Sequence, residues 1–170
     1  MGVRRIKTET CNFRAASIYT RPGIIIYIDD VWWSVVEEEL KLMYQLKVEG
    51  LCCSSIIIEM GLRLRGERNE QFVKAASALC NGMHSGLTCG ALTGAVCMLA
   101  LFDEKNTEMT KEMVEWFRHD LCARYASVNC EDITRCDPYE KAVKCPGLMK
   151  ATYIRAKELL EEFGYWEPGE

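Results

Sequence analysis

The sequence contains no Cys-x-x-Cys pair, although 10 of its 170 residues are cysteines. The spacing that marks a thioredoxin-type dithiol or a zinc ribbon is therefore missing. A secretory signal is also missing, because no long apolar segment follows the twin arginine Arg4-Arg5. Disulfide bonds are thus not the default explanation for so many thiols. The sequence predicts a cytoplasmic protein whose cysteines serve metal ligation or redox chemistry.

Clustered positive charge is scarce outside the N-terminal segment. Residues 1–21 carry five basic groups and one acidic group, a net charge of +4, and the rest of the chain carries 16 basic and 24 acidic groups, a net charge of -8. Neutralising nucleic-acid phosphates requires clustered lysine and arginine. The acidic body of the chain therefore predicts that nucleic acid is not a partner.

A membrane-spanning run is also lacking. The one candidate segment, residues 86–102, is uncharged but just short of the roughly 18–20 residues that a span requires, and it is rich in glycine, threonine and cysteine. The sequence therefore predicts a buried helix here and no membrane span.

Apolar residues recur at spacings of three and four along most of the chain, and no β alternation follows residue 28. We therefore expect an all-α fold, a compact bundle of about six helices, with a short N-terminal strand at residues 23–28 as the one exception. Residues 1–30 form a partly irregular N-terminal extension in this interpretation, and residues 31–165 form a single helical redox domain. Irregular chain is expected over residues 129–138, and Pro146-Gly147 is expected to interrupt the last helical region.

The local context of the cysteines separates ordinary positions from candidate functional ones. Cys97 and Cys122 lie within predicted helices and are expected to be small buried hydrophobic residues. Cys53 and Cys89 lie at predicted helix starts, where the helix dipole favours a thiolate with a lowered pKa. Cys130 lies at the exit of the long helix that ends near residue 125. Any metal site must be assembled from separate segments, because the cysteines are dispersed along the chain.

Gly90 and Gly94 lie four residues apart, on one face of the predicted small-residue helix. A glycine within a helix costs about 0.5–1 kcal/mol relative to alanine, so a compensating gain is expected. Close packing between two helices would supply it, and so would a cofactor that approaches the backbone near Cys89. The sequence leaves both explanations open.

Several segments resemble a known family. The segment Cys89-Gly90-Ala91-Leu92-Thr93-Gly94 resembles the signature of the C_GCAxxG_C_C family of redox-active proteins. Residues 50–55 resemble its glycine–cysteine entry to a helix, with Cys53 on the cysteine position. Cys130 and Cys145 resemble the third and fourth cysteines. The resemblance covers roughly residues 48–160 and implies a helical, redox-active protein with four functional cysteines, without specifying a reaction.

Three functions that use the thiols remain open at this point. In the leading hypothesis, an iron–sulfur cluster, with [2Fe–2S] the expected type, binds to four thiolates and serves electron transfer or redox sensing. The second is a thiol–disulfide redox enzyme in which Cys89 is the reactive thiolate and the Cys52-Cys53 pair contributes to resolution. The third is a structural zinc site on four cysteines. The candidate metal ligands are Cys53, Cys89, Cys130 and Cys145, and the candidate cofactor-binding residues are Gly90 and Gly94.

Further assignments are less specific. Cys52, Cys80 or Cys136 could replace one of the four chosen ligands, and His84 could be a ligand or a proton donor. A redox partner protein is expected, and the adjacent residues Trp32 and Trp33 suggest a homodimer surface. A bundle that binds haem, a sterol or a partner, with incidental thiols, is the remaining alternative.

Overall fold

The computed structural model describes residues 29–125 and 127–167, and within them the protein is built from α-helices without a strand or sheet. The predicted all-α fold is confirmed, with eight α-helices in the described residues. The expected strand at residues 23–28, with all but the end of the N-terminal extension, lies outside the described residues. The helices are α1 (Asp29–Val48), α2 (Cys53–Leu64), α3 (Glu70–Ala75), α4 (Gly90–Phe102), α5 (Thr107–Trp116), α6 (Cys122–Tyr125), α7 (Cys130–Thr134) and α8 (Pro138–Glu162).

Helix α4 lies at the centre of the bundle and packs mainly against α2 and α8. Glycines allow α2 and α4 to approach closely. A Cβ atom on Gly94 would lie 2.8 Å from the Ser54 Cα atom, and one on Gly61 would lie 2.6 Å from the Met98 Cγ atom. Met98 and Leu99 are fully buried, as expected for a core helix. No helix in the described part of the chain is long and apolar enough to cross a membrane.

Helix α8 runs without a break through Pro146, so the predicted interruption at Pro146-Gly147 is wrong. A proline within a helix removes one backbone donor and costs about 3 kcal/mol. Leu148, Met149 and Tyr153 follow it on the buried face of the same helix. Burying each large apolar side chain contributes about 1.5–3 kcal/mol, so tertiary packing outweighs the local signal.

The predicted irregular region at residues 129–138 contains helix α7. An isolated antiparallel bridge between Thr88 and Asn129 joins the segments that lead into α4 and α7. The Cys89 backbone N–H donates to the Val128 carbonyl at 2.8 Å, and the Cys130 N–H donates to the Leu87 carbonyl at 2.7 Å. The bridge therefore holds the starts of these two helices side by side.

Candidate functional site

Four cysteines from four helices line one small cavity of about 30 Å³. Cys53 is the first residue of α2, Cys89 is the N-cap residue of α4, Cys130 is the first residue of α7, and Cys145 lies within α8. Cys89 and Cys130 are buried, and the other two are partly buried. The remaining lining residues are Asn81, Ala91, Ile133, Thr134, Leu148 and Met149. The fold thus brings together the four cysteines that the sequence singled out.

Gly90 provides the space for the Cys53 thiol. A Cβ atom at this position would lie 2.6 Å from the Cys53 sulfur, 3.0 Å from the Leu79 carbonyl oxygen and 3.3 Å from the Cys80 Cα atom. Two of these neighbours are backbone atoms, which cannot rotate away as a flexible side chain can. Any side chain at residue 90 would therefore displace the Cys53 thiol or the backbone beside it.

Close helix packing accounts for both Gly90 and Gly94. Gly94 faces the Ser54 backbone, and Gly90 faces the Cys53 thiol and the chain leading to Cys80. The cost of a helical glycine is offset by this approach of α2 to α4. The proposed role of the two glycines in cofactor binding stays a prediction.

Burial controls the acidity of the thiols. It raises the pKa of Cys89 to about 12 and that of Cys145 to about 11, and it also raises the pKa of Cys53. Backbone N–H groups at the start of α4 lower the pKa of Cys89, but by less than burial raises it. The prediction that a helix start gives Cys53 and Cys89 a lowered pKa is therefore wrong, because loss of hydration disfavours the charged thiolate.

Neighbouring sulfurs add to this effect. A thiolate at Cys53 or Cys130 would raise the pKa of Cys145 further by repulsion between like charges. Thiolates at Cys53 and Cys130 would raise the pKa of Cys89 in the same way. The thiols are therefore near enough to interact electrostatically, and burial favours the neutral, protonated form of Cys53, Cys89 and Cys145.

The donor set suits a soft metal ion or an iron–sulfur cluster, because four thiolates are the usual complement of such centres. The cavity, however, has about the volume that one water molecule occupies in the liquid. Within residues 29–125 and 127–167, no group of three or more His, Cys, Asp or Glu side chains is already arranged to hold a metal ion. The chemistry of the donors fits, and binding would require the thiols to move. Their role as ligands stays a prediction.

A disulfide bond between Cys52 and Cys80 lies beside this cavity and was missed by sequence reasoning. The two Cα atoms are 6.1 Å apart, although the residues are separated by 28 positions. Both cysteines line an open groove of about 700 Å³. The sequence contained one relevant signal, the adjacent Cys52 and Cys53 at a helix start, but nothing in it indicated that Cys80 would be the partner.

The remaining candidates lie away from the four-cysteine cavity. His84 lines the groove, and its Nε2 atom donates to the Ser77 carbonyl at 3.1 Å. Cys97 is partly buried against a second apolar cluster between α2 and α3, and Cys136 is exposed. Neither lines the cavity. Cys11 and the side chain of Cys122 lie outside the described parts of the structure.

An all-α bundle with four converging thiols and a neighbouring disulfide defines a cysteine-rich helical protein suited to redox chemistry. The family model described as "Putative redox-active protein (C_GCAxxG_C_C)" matches residues 51–159, most of the chain. The chain belongs to this family, and the resemblance noted over roughly residues 48–160 is confirmed. Comparison with curated proteins and with solved structures gives no significant match.

Proposed function

We propose that this redox-active protein binds an iron–sulfur cluster, with [2Fe–2S] the expected type, on Cys53, Cys89, Cys130 and Cys145. The observation that carries the proposal is the convergence of these four thiols, from four different helices, on one cavity. Four cysteine thiolates are the standard ligand complement for such clusters. The function would be electron transfer or redox sensing with a partner protein.

The surroundings of the cavity suit a charged centre that must be kept from water. Ile133, Leu148 and Met149 form an apolar part of its wall. A bound cluster would supply one-electron oxidation and reduction, at a potential set by its environment. The protein's part is to hold four thiolates together and to limit solvent access. Bare thiolates are unfavourable here because burial raises their pKa, and a cationic centre would offset that cost.

The same observations weigh against Cys89 as a freely reacting nucleophile. Cys89 is 7% exposed, and burial raises its pKa to about 12. At neutral pH only about one molecule in 10⁵ would carry a Cys89 thiolate, and the thiolate is the reactive form. A buried thiol that ionises only with difficulty is better suited to ligation than to attack on an external disulfide. A structural zinc site would use the same four thiols. Identifying the bound metal is therefore what distinguishes a zinc site from an iron–sulfur cluster.

Anaerobic purification followed by elemental analysis and a visible spectrum tests the proposal. We expect iron and acid-labile sulfide, with a visible absorption that bleaches on reduction. One zinc per chain without iron would contradict the proposal and favour a structural site. Protein that stays colourless and metal-free after incubation with iron and sulfide would also contradict it.

Two matched variants locate the ligands. Cys89→Ala removes a thiol from the cavity, whereas Cys97→Ala removes a partly buried thiol of the same helix that does not line it. We expect Cys89→Ala to abolish the visible absorption and Cys97→Ala to retain it. Equal loss from the two variants, with the helical circular dichroism preserved, would show that the cavity cysteines are not the ligands.

A further inference from the structure

We propose that the Cys52–Cys80 disulfide is a second redox site, which opens onto the groove and exchanges electrons with an external dithiol. The groove of about 700 Å³ is large enough to admit part of a peptide or a small molecule. The two sulfurs belong to a disulfide, whereas the four cavity cysteines are free thiols. This site goes beyond the proposed cluster and does not depend on it.

The two sulfurs differ in their access to the groove. Cys52 is partly exposed at the start of α2, whereas Cys80 is 2% exposed. In thiol–disulfide exchange the incoming thiolate attacks one particular sulfur of the bond, and access helps to decide which one. Cys52 is therefore the sulfur that an external thiolate attacks, and Cys80 is the leaving thiolate.

A buried hydroxyl lies where the leaving sulfur would need a hydrogen-bond donor. The Ser54 Oγ atom is 2.8 Å from the Cys80 sulfur and also 2.8 Å from the Ala76 carbonyl oxygen, to which it donates. Ser54 has no exposed surface. Rotation of this hydroxyl from the carbonyl to the released Cys80 thiolate would provide a charge-assisted hydrogen bond, which is about twice as strong as a neutral one.

Ser55 gives an internal reference for this role. It is also buried, and its hydroxyl donates to the Val73 carbonyl at 2.9 Å. Its Oγ atom lies 3.5 Å from the Cys52 sulfur, as that of Ser54 lies 3.8 Å from it, but among the described residues no hydrogen bond joins Ser55 to Cys80. The two serines therefore make the same kind of backbone bond, but only Ser54 contacts the leaving sulfur.

The exchange balances with a dithiol as the reductant. One thiolate of the dithiol attacks the Cys52 sulfur, the Cys52–Cys80 bond breaks, and Cys80 leaves as a thiolate that then takes a proton. The second thiolate of the dithiol attacks the first sulfur of that dithiol and releases Cys52, which is protonated in turn. The external dithiol becomes a disulfide, and two electrons and two protons reach Cys52 and Cys80.

The redox site shares a wall with the four-cysteine cavity. Asn81, which follows Cys80, lines both the groove and the cavity, and its backbone N–H group lowers the pKa of the Cys53 thiol, although burial raises that pKa by more. Cys52 in turn precedes Cys53. The disulfide therefore joins the two backbone segments that hold the Cys53 thiol.

The full-length, metal-free protein provides the first test. It is equilibrated with dithiothreitol at graded ratios of reduced to oxidised reagent, quenched with acid and alkylated, and each cysteine is quantified by mass spectrometry. We expect Cys52 and Cys80 to become alkylated together while the helical circular dichroism is unchanged. A bond that opens only when urea unfolds the helices would be structural and would overturn the proposal.

Single variants identify the attacked sulfur. Oxidised glutathione should form a mixed disulfide on Cys52 in the Cys80→Ser variant, and should react at least about tenfold more slowly with Cys80 in the Cys52→Ser variant because that sulfur is buried. Equal rates would refute Cys52 as the entry point. Metal content is measured in the same samples, so a failure of cluster binding is recorded separately from a failure of exchange.

The serines test the leaving-group step. We expect Ser54→Ala to slow reduction by dithiothreitol about tenfold, because a charge-assisted hydrogen bond is lost, and Ser55→Ala to change it by less than about twofold. The two variants lose comparable backbone bonds, so a general loosening of the α2 start would slow or speed both equally. Equal effects would therefore overturn the role of Ser54.

Discussion

Cys52 and Cys53 are adjacent in the chain but belong to two different sulfur sites. Cys52 lines an open groove and is bonded to Cys80, whereas Cys53 lines a small cavity with three other free thiols. Cys52 is the N-cap residue, with an extended backbone, whereas Cys53 is the first residue of the helix, so the two side chains project in different directions. One helix terminus therefore supplies a sulfur to each of two environments.

Size is the physical difference between these environments, since the cavity has a volume of about 30 Å³ and the groove a volume of about 700 Å³. In the cavity, burial raises the thiol pKa values and makes a free thiolate rare. In the groove, Cys52 is a partly exposed residue, and we propose that an external thiolate attacks its sulfur. The comparison supports our two proposals. The cysteines of the enclosed cavity would bind a cluster, and the disulfide in the open groove would undergo thiol–disulfide exchange with a dithiol from solution.

Alkylation rates should show the largest contrast. In the metal-free protein at neutral pH, Cys89 should react with iodoacetamide at least about a thousandfold more slowly than in the urea-unfolded chain, because a pKa of about 12 in place of an ordinary 9 reduces the thiolate fraction by that factor. Site-resolved mass spectrometry measures both rates. Cys136 is exposed and serves as the reference, with little change expected on unfolding. Similar protection of both residues would mean that burial of the cavity is not the cause.

The sequence identified much of the enclosed site, because its signals are local. Cys53 and Cys89 begin helices where the glycine turns before them predicted. The resemblance added Cys130 and Cys145. The proximity of Cys89 to Cys130 depends on the bridge between Thr88 and Asn129, which no pattern in the sequence indicates. The position of each cysteine within its own segment was thus predictable from the sequence, whereas the distances between cysteines of different segments were not.

The open site and the acidity of the thiols depend on tertiary structure. Cys80 reaches Cys52 because the 3₁₀ turn at Ala76–Leu79 packs against α2, and this contact has no sequence signature. The helix dipole was a correct local argument, but desolvation depends on what covers the sulfur and has the larger effect. The continuity of α8 through Pro146 has the same origin, since burial of the residues that follow outweighs a local rule.

Gly90→Ala tests whether the four-cysteine cavity and the Cys52–Cys80 disulfide depend on the same packed backbone. The new methyl group would meet the Cys53 sulfur, the Leu79 carbonyl and the Cys80 Cα atom, so we expect a loss of about 1–3 kcal/mol in the free energy of unfolding, the usual cost of overpacking. Both cluster binding and disulfide exchange should weaken. Urea unfolding gives the stability, with iron content and the dithiothreitol titration as readouts.

The matched control for this variant is Gly147→Ala, in which the methyl group would meet only the Tyr125 hydroxyl, at 3.3 Å. We expect a change within about 1 kcal/mol, because a side chain can shift and alanine is the better helix former. If Gly90→Ala disturbed only one of the two sulfur sites, the shared wall would not couple them.

The burial of the cavity thiols should also have a smaller effect, which is a fall in the free energy of unfolding at high pH. The pKa values of Cys89 and Cys145 are raised to about 12 and about 11 in the folded protein, so above pH 9 the unfolded chain loses protons that the folded chain keeps. Stability is therefore full below pH 9 and falls as the pH rises toward the folded pKa values. Between pH 8 and pH 10, under anaerobic conditions, the free energy of unfolding of Cys89→Ala should fall by about 1 kcal/mol less than that of the parent protein. Identical losses would show that Cys89 is not buried as a thiol.

Cys136→Ser should have the smallest effect and sets the limit of the comparison. Cys136 is exposed and lines neither the cavity nor the groove, although the sequence alone allowed it to replace one of the four ligands. Exposed substitutions away from such features usually change stability by less than about 0.5 kcal/mol. We therefore expect unchanged iron content, unchanged reduction of Cys52–Cys80 and an unchanged urea midpoint. Loss of iron from this variant alone would show that an exposed thiol outside the cavity is a metal ligand. The assignment of the metal to the enclosed site, and with it the comparison between an enclosed and an open sulfur site, would then be wrong.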